Sequence, residues 1–108
     1  MRIAIDAMGG DLGPRPAVMG SASAAIADPD LELCLFGPAA LLEDEIARLP
    51  RQLAAAASRL RVGDAPAVVQ QSQRPSEALR HGGDTSMARM LDCVAGGDAM
   101  AGVSAGNT

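Results

Sequence analysis

Short apolar runs alternate with longer stretches of mixed apolar and polar residues along the chain. The runs have the length of buried strands, whereas the longer stretches carry apolar residues at helical spacing. The predicted strands cover residues 2–6, 31–36, 60–62 and 99–104. The predicted helices cover residues 15–27, 39–49 and 85–96, with shorter helical pieces over 51–57 and 77–80. Glycine, proline or aspartate separates most consecutive elements, as expected for turns.

Two of the predicted helices have an apolar face. In the helix over 39–49 this face consists of Leu41, Leu42, Ile46 and Leu49. In the helix over 85–96 it consists of Met87, Met90, Leu91 and Val94. Strands that alternate with such helices imply a parallel sheet that is covered on both of its faces.

We therefore predict an α/β fold, Rossmann-like, with three α/β/α layers and a mostly parallel sheet. The alternation continues to the last residues, where the turn Gly106-Asn107-Thr108 follows the fourth predicted strand. A turn of this kind normally leads into a helix. The pattern predicts that residues 1–108 are truncated, forming the N-terminal part of a single larger α/β domain.

Composition narrows the class of function. Of the 108 residues 48% are hydrophobic, but many of these are alanine, and Phe36 is the single aromatic residue. The core is therefore expected to be thin, because aromatic side chains supply much of the burial in small domains. The net charge is −4 and all nine basic residues are arginine. No basic patch for nucleic acid is expected, and the lysine of a P-loop is missing.

Cys34 and Cys93 are far apart in the sequence and lack CxxC spacing or nearby histidine ligands. We expect both to be buried, reduced thiols, as in cytosolic proteins, and we expect no metal site. The N-terminus reaches the charged Arg2 and Asp6 too early for a signal peptide, and no apolar stretch approaches the ~18 residues that span a bilayer. The chain is predicted to be cytoplasmic, with membrane contact at most peripheral.

Three polar, glycine-containing segments fall at or beside the carboxyl ends of predicted strands, where open parallel sheets bind ligands. They are residues 6–11, 74–86 and 104–108. Glycines allow close approach of the backbone, and N–H groups at helix starts attract anions. Each segment alone fits a plain turn, helix cap or brace equally well. Together they predict an anion-binding cradle, and the absence of GxGxxG disfavours a dinucleotide site.

These segments, in this order and at this spacing, resemble the motifs of the bacterial phosphate acyltransferase family of phospholipid synthesis. Residues 5–14 are similar to the family's opening strand and its D-x-M-G-G-D-x-G-P motif. Arg74-Pro75-Ser76 is similar to its R-P-S segment, and Asp84-Thr85-Ser86-Met87 to its D-S-S-M segment. Residues 103–108 match its V-S-A-G-N-T segment. The resemblance covers the whole chain but only the first part of the family's length.

The resemblance implies a reaction in which inorganic phosphate attacks the thioester carbonyl of a fatty acyl chain on acyl carrier protein. Acyl phosphate and free carrier protein result, and the acyl phosphate feeds a downstream glycerol-phosphate acyltransferase. The resemblance further implies an isopropylmalate-dehydrogenase-like fold without a metal or organic cofactor. It also implies a homodimer for the complete enzyme and peripheral association with the inner face of the membrane.

The resemblance also implies roles for individual residues. Asn107 and Ser104 are the implied catalytic residues, and Asn107 would donate a hydrogen bond to the developing charge. Asp6 and Asp11 are expected to orient the first loop rather than to act as bases. The residues implied to bind phosphate or substrate are Asp6, Gly9, Gly10, Asp11, Arg74, Ser76, Asp84, Thr85, Ser86, Gly106 and Thr108.

The sequence departs from the family pattern at His81-Gly82-Gly83, where basic residues usually precede the D-S-S-M segment. Two alternatives stay open. One is another α/β enzyme with the same cradle, phosphotransacetylase-like or isopropylmalate-dehydrogenase-like, which would use coenzyme A or a nicotinamide. The other is a non-catalytic remnant or binding module, which a soluble, sharply melting monomer would support.

Overall fold

The predicted strands pair side by side in the computed structural model of the chain, which describes residues 1–10, 12–66 and 85–104. β1 covers Arg2–Asp6, β2 covers Glu32–Gly37, β3 covers Leu60–Asp64 and β4 covers Ala101–Ser104. These strands form one sheet in the order β3-β2-β1-β4, and every pair is parallel. The short helical piece predicted over 77–80 lies outside the described residues.

The direction in which strands are added to the sheet reverses at β1. From β1 the chain passes to β2 and then to β3 on one side, whereas β4 pairs with the other edge of β1. In the resulting register Ile5 lies between Leu35 of β2 and Val103 of β4. This reversal creates a topological switch point between β1 and β4, the place where open α/β sheets bind their ligands.

Helices connect the strands as predicted. α1 covers Arg15–Ala27, α2 covers Ala39–Ala47, α3 covers Ser86–Ala95, and a 3₁₀ helix covers Ala54–Arg59. α1 follows Pro14 and has Pro16 in its first turn, where the missing N–H leaves no bond unmade. The Asp64 carboxylate accepts a hydrogen bond of 3.0 Å from the Ala39 backbone N–H, which ties the start of α2 to the end of β3.

The largest differences from the predicted helical bounds lie on either side of Pro50, while the last helix is one residue shorter at each end than predicted. α2 ends at Ala47 rather than at residue 49, and the Leu49 N–H bonds the Ile46 carbonyl in a tighter turn. Proline lacks an N–H and disfavours the helical conformation in the residue before it. The alanine-rich piece predicted over 51–57 is the 3₁₀ helix, which starts after this break.

The sheet face under α1, α2 and the 3₁₀ helix, called here the α1 face, holds the larger core. Its buried residues are Ala7, Val18, Ala22, Ala25, Leu33, Leu35, Leu42, Ala56 and Leu60. Ile3 and Ile5 of β1 pack against this cluster, as do Ile46 of α2 and Leu49 beyond α2. The many alanines bring α1 close to the sheet, so a core with few large side chains still packs densely.

The opposite face, called here the α3 face, carries a smaller cluster. Ala4, Met90 and Ala99 are buried, and the partly buried residues packed against them are Phe36, Met87, Cys93 and Val94. A parallel sheet with helices on both faces confirms the predicted three-layer α/β fold. The described residues contain no helix long and apolar enough to span a membrane.

Two predictions about side-chain burial are wrong in part. Leu41 and Leu91 are 40% and 55% exposed, although they were expected to lie on the apolar faces of their helices. Adjacent helical residues point about 100° apart. In α2 the neighbouring Leu42 faces the sheet in place of Leu41, and in α3 Met90 does so in place of Leu91. The two cysteines are free thiols as expected, but both are half-buried rather than buried.

Candidate functional site

The candidate site begins at the carboxyl ends of β1 and β4, beside the topological switch point. Asp6 ends β1 and Ser104 ends β4, and the two residues lie directly opposite each other in the parallel register. Ligands of open parallel sheets bind beyond this edge, in the crevice where the strand order reverses. The fold therefore brings two predicted site residues to the position where the sheet is open to a ligand.

Asp6 forms a buried junction at this edge. It is 4% exposed, and its carboxylate accepts three hydrogen bonds from the residues that the structure describes. The Ser86 hydroxyl donates to Oδ1 at 2.5 Å and the Met8 backbone N–H donates to the same oxygen at 3.2 Å. The Ser104 hydroxyl donates to Oδ2 at 2.8 Å. A buried carboxylate needs such donors, because an unpartnered one is costly.

Local sequence explains how each partner reaches the carboxylate. Side chains alternate along β1, so Asp6 points to the same face as Ala4, which packs in the cluster under α3. Thr85 is the N-cap of α3, and its Oγ1 accepts a hydrogen bond of 3.1 Å from the Ala88 N–H. Ser86 is the first residue of α3, so the cap fixes the position from which Ser86 reaches Asp6.

The loop after β1 supplies the predicted glycines. Ala7 N–H bonds the Phe36 carbonyl at 3.0 Å, which continues the pairing of β1 and β2 past Asp6. The Met8 side chain then packs over Gly37, where an added Cβ would lie 3.0 Å from Met8 Cγ. Gly9 and Gly10 follow at the open edge, and Gly13 has a φ of +76° ahead of α1. The loop therefore turns sharply above the carboxyl end of the sheet.

Charge at this edge limits what the described residues can bind directly. Among the predicted site residues that the structure describes, Asp6 alone carries a charge, and it is negative. A carboxylate repels an anion, so Asp6 is unsuited to contact phosphate. The backbone N–H groups of a glycine loop are better suited, because they carry partial positive charge and have no side chain in the way.

The structure brings together six of the predicted site residues. Asp6, Ser86 and Ser104 are joined by hydrogen bonds, Thr85 precedes Ser86, and Gly9 and Gly10 lie in the adjoining loop. The other predicted residues, Asp11, Arg74, Ser76, Asp84, Gly106, Asn107 and Thr108, lie outside the described residues. The catalytic and binding roles implied for all of them remain predictions.

An apolar groove runs from this edge along the α1 face, and sequence reasoning missed it. Its volume is about 670 Å³. It is lined by Ile3, Ile5, Asp6, Ala7, Gly10, Leu12, Gly13, Pro16, Ala17, Gly20, Ser21, Ala24, Leu31, Leu33 and Val103. The available signal was the run of small residues on one side of α1, at positions 17, 20, 21 and 24. These leave space between the helix and β1.

Two apolar residues that line the groove are largely exposed to solvent. Val103 of β4 is 54% exposed, and Leu12, in the loop after β1, is 81% exposed. A Cβ added at Gly20 would meet no atom within 4 Å. Exposed apolar surface of this kind marks a place where a ligand or another part of a protein binds.

Cys34 and Cys93 lie away from this edge, near the middle of the α3 face. Burial raises the pKa of the Cys34 thiol, the nearby Cys93 raises it further, and Arg2 and Arg61 act in the opposite direction. A raised pKa keeps the thiol protonated at neutral pH and makes it a poor nucleophile. No group of three or more potential metal-binding His, Cys, Asp or Glu side chains occurs within 1–10, 12–66 and 85–104.

Comparison with known proteins gives a consistent family match. The family model described as "Fatty acid synthesis protein" matches residues 1–108. Proteins named phosphate acyltransferase from Pseudomonas putida and Pseudomonas savastanoi are 52% and 51% identical over 106 residues, which is 98% of this chain. A Brucella anthropi protein of the same name is 40% identical over 109 residues, covering 100% of this chain. The chain spans 30–31% of the length of these relatives.

Proposed function

The chain belongs to the fatty acid synthesis protein family, and on that premise we propose that it supplies the N-terminal part of the active site of a phosphate acyltransferase. The proposed substrates are inorganic phosphate and a fatty acyl chain carried as a thioester on acyl carrier protein. The products are acyl phosphate and the free carrier protein. The acyl phosphate would serve phospholipid synthesis through a downstream glycerol-phosphate acyltransferase.

One observation carries this proposal. Three segments that resemble the family's motifs meet at the switch point, where the Ser86 and Ser104 hydroxyls bond Asp6. Ser86 and Ser104 lie 80 and 98 residues from Asp6 in sequence. A structural brace alone would not require all three segments to end at the ligand-binding edge of the sheet. Their convergence supports a site for an anion, with the adjoining glycine loop as a group of N–H donors.

The proposed reaction needs positioning and charge stabilisation. A phosphate oxygen forms a bond to the thioester carbonyl carbon, and the carbon–sulfur bond breaks with its electron pair leaving on sulfur. The proton of hydrogen phosphate is available to the thiolate of the carrier protein. Groups that hold phosphate in line and donate hydrogen bonds to the carbonyl oxygen supply most of the catalysis.

We assign these tasks according to position in the sequence. Gly9 and Gly10 donate backbone N–H groups to phosphate, together with Arg74 and Ser76. Asn107 donates to the carbonyl oxygen as negative charge develops there. Asp11 orients the first loop, and Asp84, Gly106 and Thr108 contribute to the binding of phosphate or substrate.

The apolar groove suits the acyl chain of the proposed substrate. It starts beside Asp6 and Gly10, so a chain whose carbonyl lies at the site can enter it directly. Its volume of about 670 Å³ falls within the range of small-molecule pockets. Burial of a methylene is favourable by about 0.8 kcal/mol, so binding would strengthen with chain length until the groove is filled.

The remaining partners follow from the family. The complete enzyme is proposed to be a homodimer that works in the cytoplasm and associates peripherally with the inner face of the membrane. Acyl carrier protein would approach from the open carboxyl edge, because the thioester must reach the switch point there. No cofactor is proposed.

The direct test joins this chain to the remaining part of the Pseudomonas putida phosphate acyltransferase, in place of that protein's own first segment. Palmitoyl-acyl carrier protein and phosphate are supplied, and acyl phosphate is trapped with hydroxylamine. We expect acyl phosphate at a rate within tenfold of the parent enzyme. Reaction only with acyl coenzyme A, or only with a nicotinamide, would contradict the proposal in favour of another α/β enzyme.

The assignment of the groove has a separate test in the same hybrid. Gly20→Leu places a large side chain in the groove at a position where nothing obstructs it. We expect the rate with palmitoyl carrier protein to fall at least tenfold, and the rate with a short acyl chain to change little. The matched control is Ser23→Leu, on an exposed part of α1. An equal loss for both chain lengths would contradict the groove and leave the reaction intact.

A further inference from the structure

We infer that Asp6 is a positioning residue that contacts neither phosphate nor thioester and instead fixes the two serines on which the geometry of the site depends. This inference rests on the proposed function, since it concerns the same site. It reassigns Ser104 as well, because the Ser104 hydroxyl proton goes to Asp6 rather than to a substrate. The anion is then held by backbone N–H groups.

Asp6 is buried among hydrogen-bond donors, out of reach of a substrate in solvent. The side chain is 4% exposed, and three donors among the described residues bond its two oxygens. Two of the donors come from segments that lie 80 and 98 residues away in sequence. A substrate would have to enter this buried place and compete with these donors, and any donor that it displaced would lose its partner.

The hydrogen bonds of Ser86 and Ser104 both run from the serine hydroxyl to the Asp6 carboxylate. A carboxylate oxygen can only accept, so the Ser86 and Ser104 hydroxyls must each donate their one proton to Asp6. Neither hydroxyl can then donate to phosphate or to a carbonyl oxygen. Each serine oxygen retains only lone pairs, which can accept a hydrogen bond but cannot donate one to an anion. Ser104 is therefore unsuited to stabilise developing negative charge while this arrangement holds.

The two serines lie at the ends of the elements that border the site. Ser86 is the first residue of α3, where the backbone N–H groups of the first turn lie, and Ser104 is the last residue of β4. Fixing Ser86 fixes the direction in which the first turn of α3 points. Fixing Ser104 fixes the end of β4. One carboxylate thus sets the relative placement of two elements that frame the site.

Charge gives an independent reason for a carboxylate here. The N-terminus of a helix carries partial positive charge, and a carboxylate beside it is stabilised. Asp6 occupies this place at the start of α3 through its bond to Ser86. An anion that used the same place would meet the charge of Asp6, so phosphate is directed to the glycine loop.

The test measures phosphate affinity of the 108-residue chain by following backbone amide shifts during titration with inorganic phosphate. In Asp6→Asn, one carboxylate oxygen becomes an NH₂ donor, so a donor that it held must accept or lose its bond, and the negative charge that strengthens both serine contacts is lost. We expect the dissociation constant for phosphate to rise at least tenfold. Ser104→Ala should raise it similarly, and Asp6→Asn with Ser104→Ala should raise it no further. Ser104→Thr keeps the hydroxyl and should restore affinity to within about threefold.

A stability control separates positioning from folding. Leu60→Ala removes a buried side chain at the start of β3, at the opposite edge of the sheet from this site. It should lower the melting temperature at least as much as Asp6→Asn does, while the phosphate affinity of the folded protein stays unchanged. If Leu60→Ala weakened phosphate binding equally, or if Asp6→Asn bound phosphate normally, Asp6 would have no positioning role.

Failure of the proposed function gives a different result from failure of this inference. If the wild-type chain binds no phosphate, the proposed anion site fails. Asp6 is then judged by the amides of residues 85–88 and 103–104, which should shift in Asp6→Asn if the carboxylate positions both segments. Shifts confined to residues within two positions of Asp6 would overturn the inference.

Discussion

The two faces of the sheet differ in what they bury. The α1 face holds a cluster of nine buried apolar residues, which are packed by two helices and a 3₁₀ helix. The α3 face holds a small apolar cluster around Met90, and beyond it the buried Asp6 with Ser86 and Ser104. Apolar burial supplies most of the stability of a domain, whereas buried polar networks fix geometry.

The difference indicates that the two faces of the sheet have different roles. Side chains of the α1 face stabilise the sheet without reaching the site, apart from those that line the groove. Side chains at the carboxyl end of the α3 face set the arrangement of α3 and β4. Substitutions on the α1 face should therefore lower the stability of the fold, whereas substitutions of Asp6 and its partners should disturb the arrangement of the site.

The largest effect is expected for Leu35→Ala, at the centre of the α1 face. Leu35 is fully buried between strands and helices, and removal of such a side chain leaves a cavity. The free energy of unfolding, measured with urea, should fall by about 2–5 kcal/mol. Leu91→Ala, at an exposed position on α3, should change it by less than about 0.5 kcal/mol. Equal losses would contradict the division between core and surface.

Gly63→Ala should cost about 1–3 kcal/mol, because it overpacks the boundary between β3 and β2. A Cβ at Gly63 would overlap the Phe36 ring, which packs on the α3 face. The matched glycine is Gly20 in α1, where a Cβ meets open space. Gly20→Ala should stabilise the protein by about 0.5–1 kcal/mol, since glycine is unfavourable inside a helix. Thermal unfolding of both variants would reveal the predicted opposite signs.

Thr85→Ala should lower the free energy of unfolding by about 1 kcal/mol, through loss of the cap that the Ala88 N–H donates to. Thr85→Ser keeps an oxygen acceptor and should retain most of the stability. Hydrogen exchange at Ala88 would report the loss locally. If the exchange of Ala88 were unchanged in Thr85→Ala, the cap would not hold the start of α3.

The smallest effect is a pH dependence that involves Cys34. Its pKa is raised in the folded protein, so as pH rises the unfolded chain loses the thiol proton first. Stability should therefore decline as pH rises through the ordinary thiol range near about 8.5 and toward the raised folded value. The difference in unfolding free energy between wild type and Cys34→Ser should shrink over this window. A constant difference would show that Cys34 does not titrate as described.

Local features of the fold could be predicted from the sequence because nearby residues determine them. Pro16 marks the start of α1, Thr85 marks the start of α3, and short apolar runs mark the strands. The exposure of Leu41 and Leu91 could not be predicted, since hydrophobicity alone does not say which of two neighbouring leucines a helix turns toward the sheet. That choice depends on how the layers pack.

The site was predictable in part for the same reason. Motifs place Asp6, Ser86 and Ser104 at the ends of strands and helices, but their contacts depend on the strand order, which brings β4 beside β1. The groove depends on that order too, because Val103 of β4 forms part of it. Contacts across 80 or 98 residues follow from topology and are not encoded in local periodicity.

The most direct measurement of the central claim is a titration of the isotope-labelled chain with inorganic phosphate, followed by backbone amide shifts. The account predicts saturable shifts that are largest at Gly9, Gly10 and the neighbouring residues at the carboxyl ends of β1 and β4. Residues at the opposite edge, such as Leu60, should not respond. Shifts centred elsewhere, or none at phosphate concentrations well above those in cells, would contradict a phosphate site at the switch point.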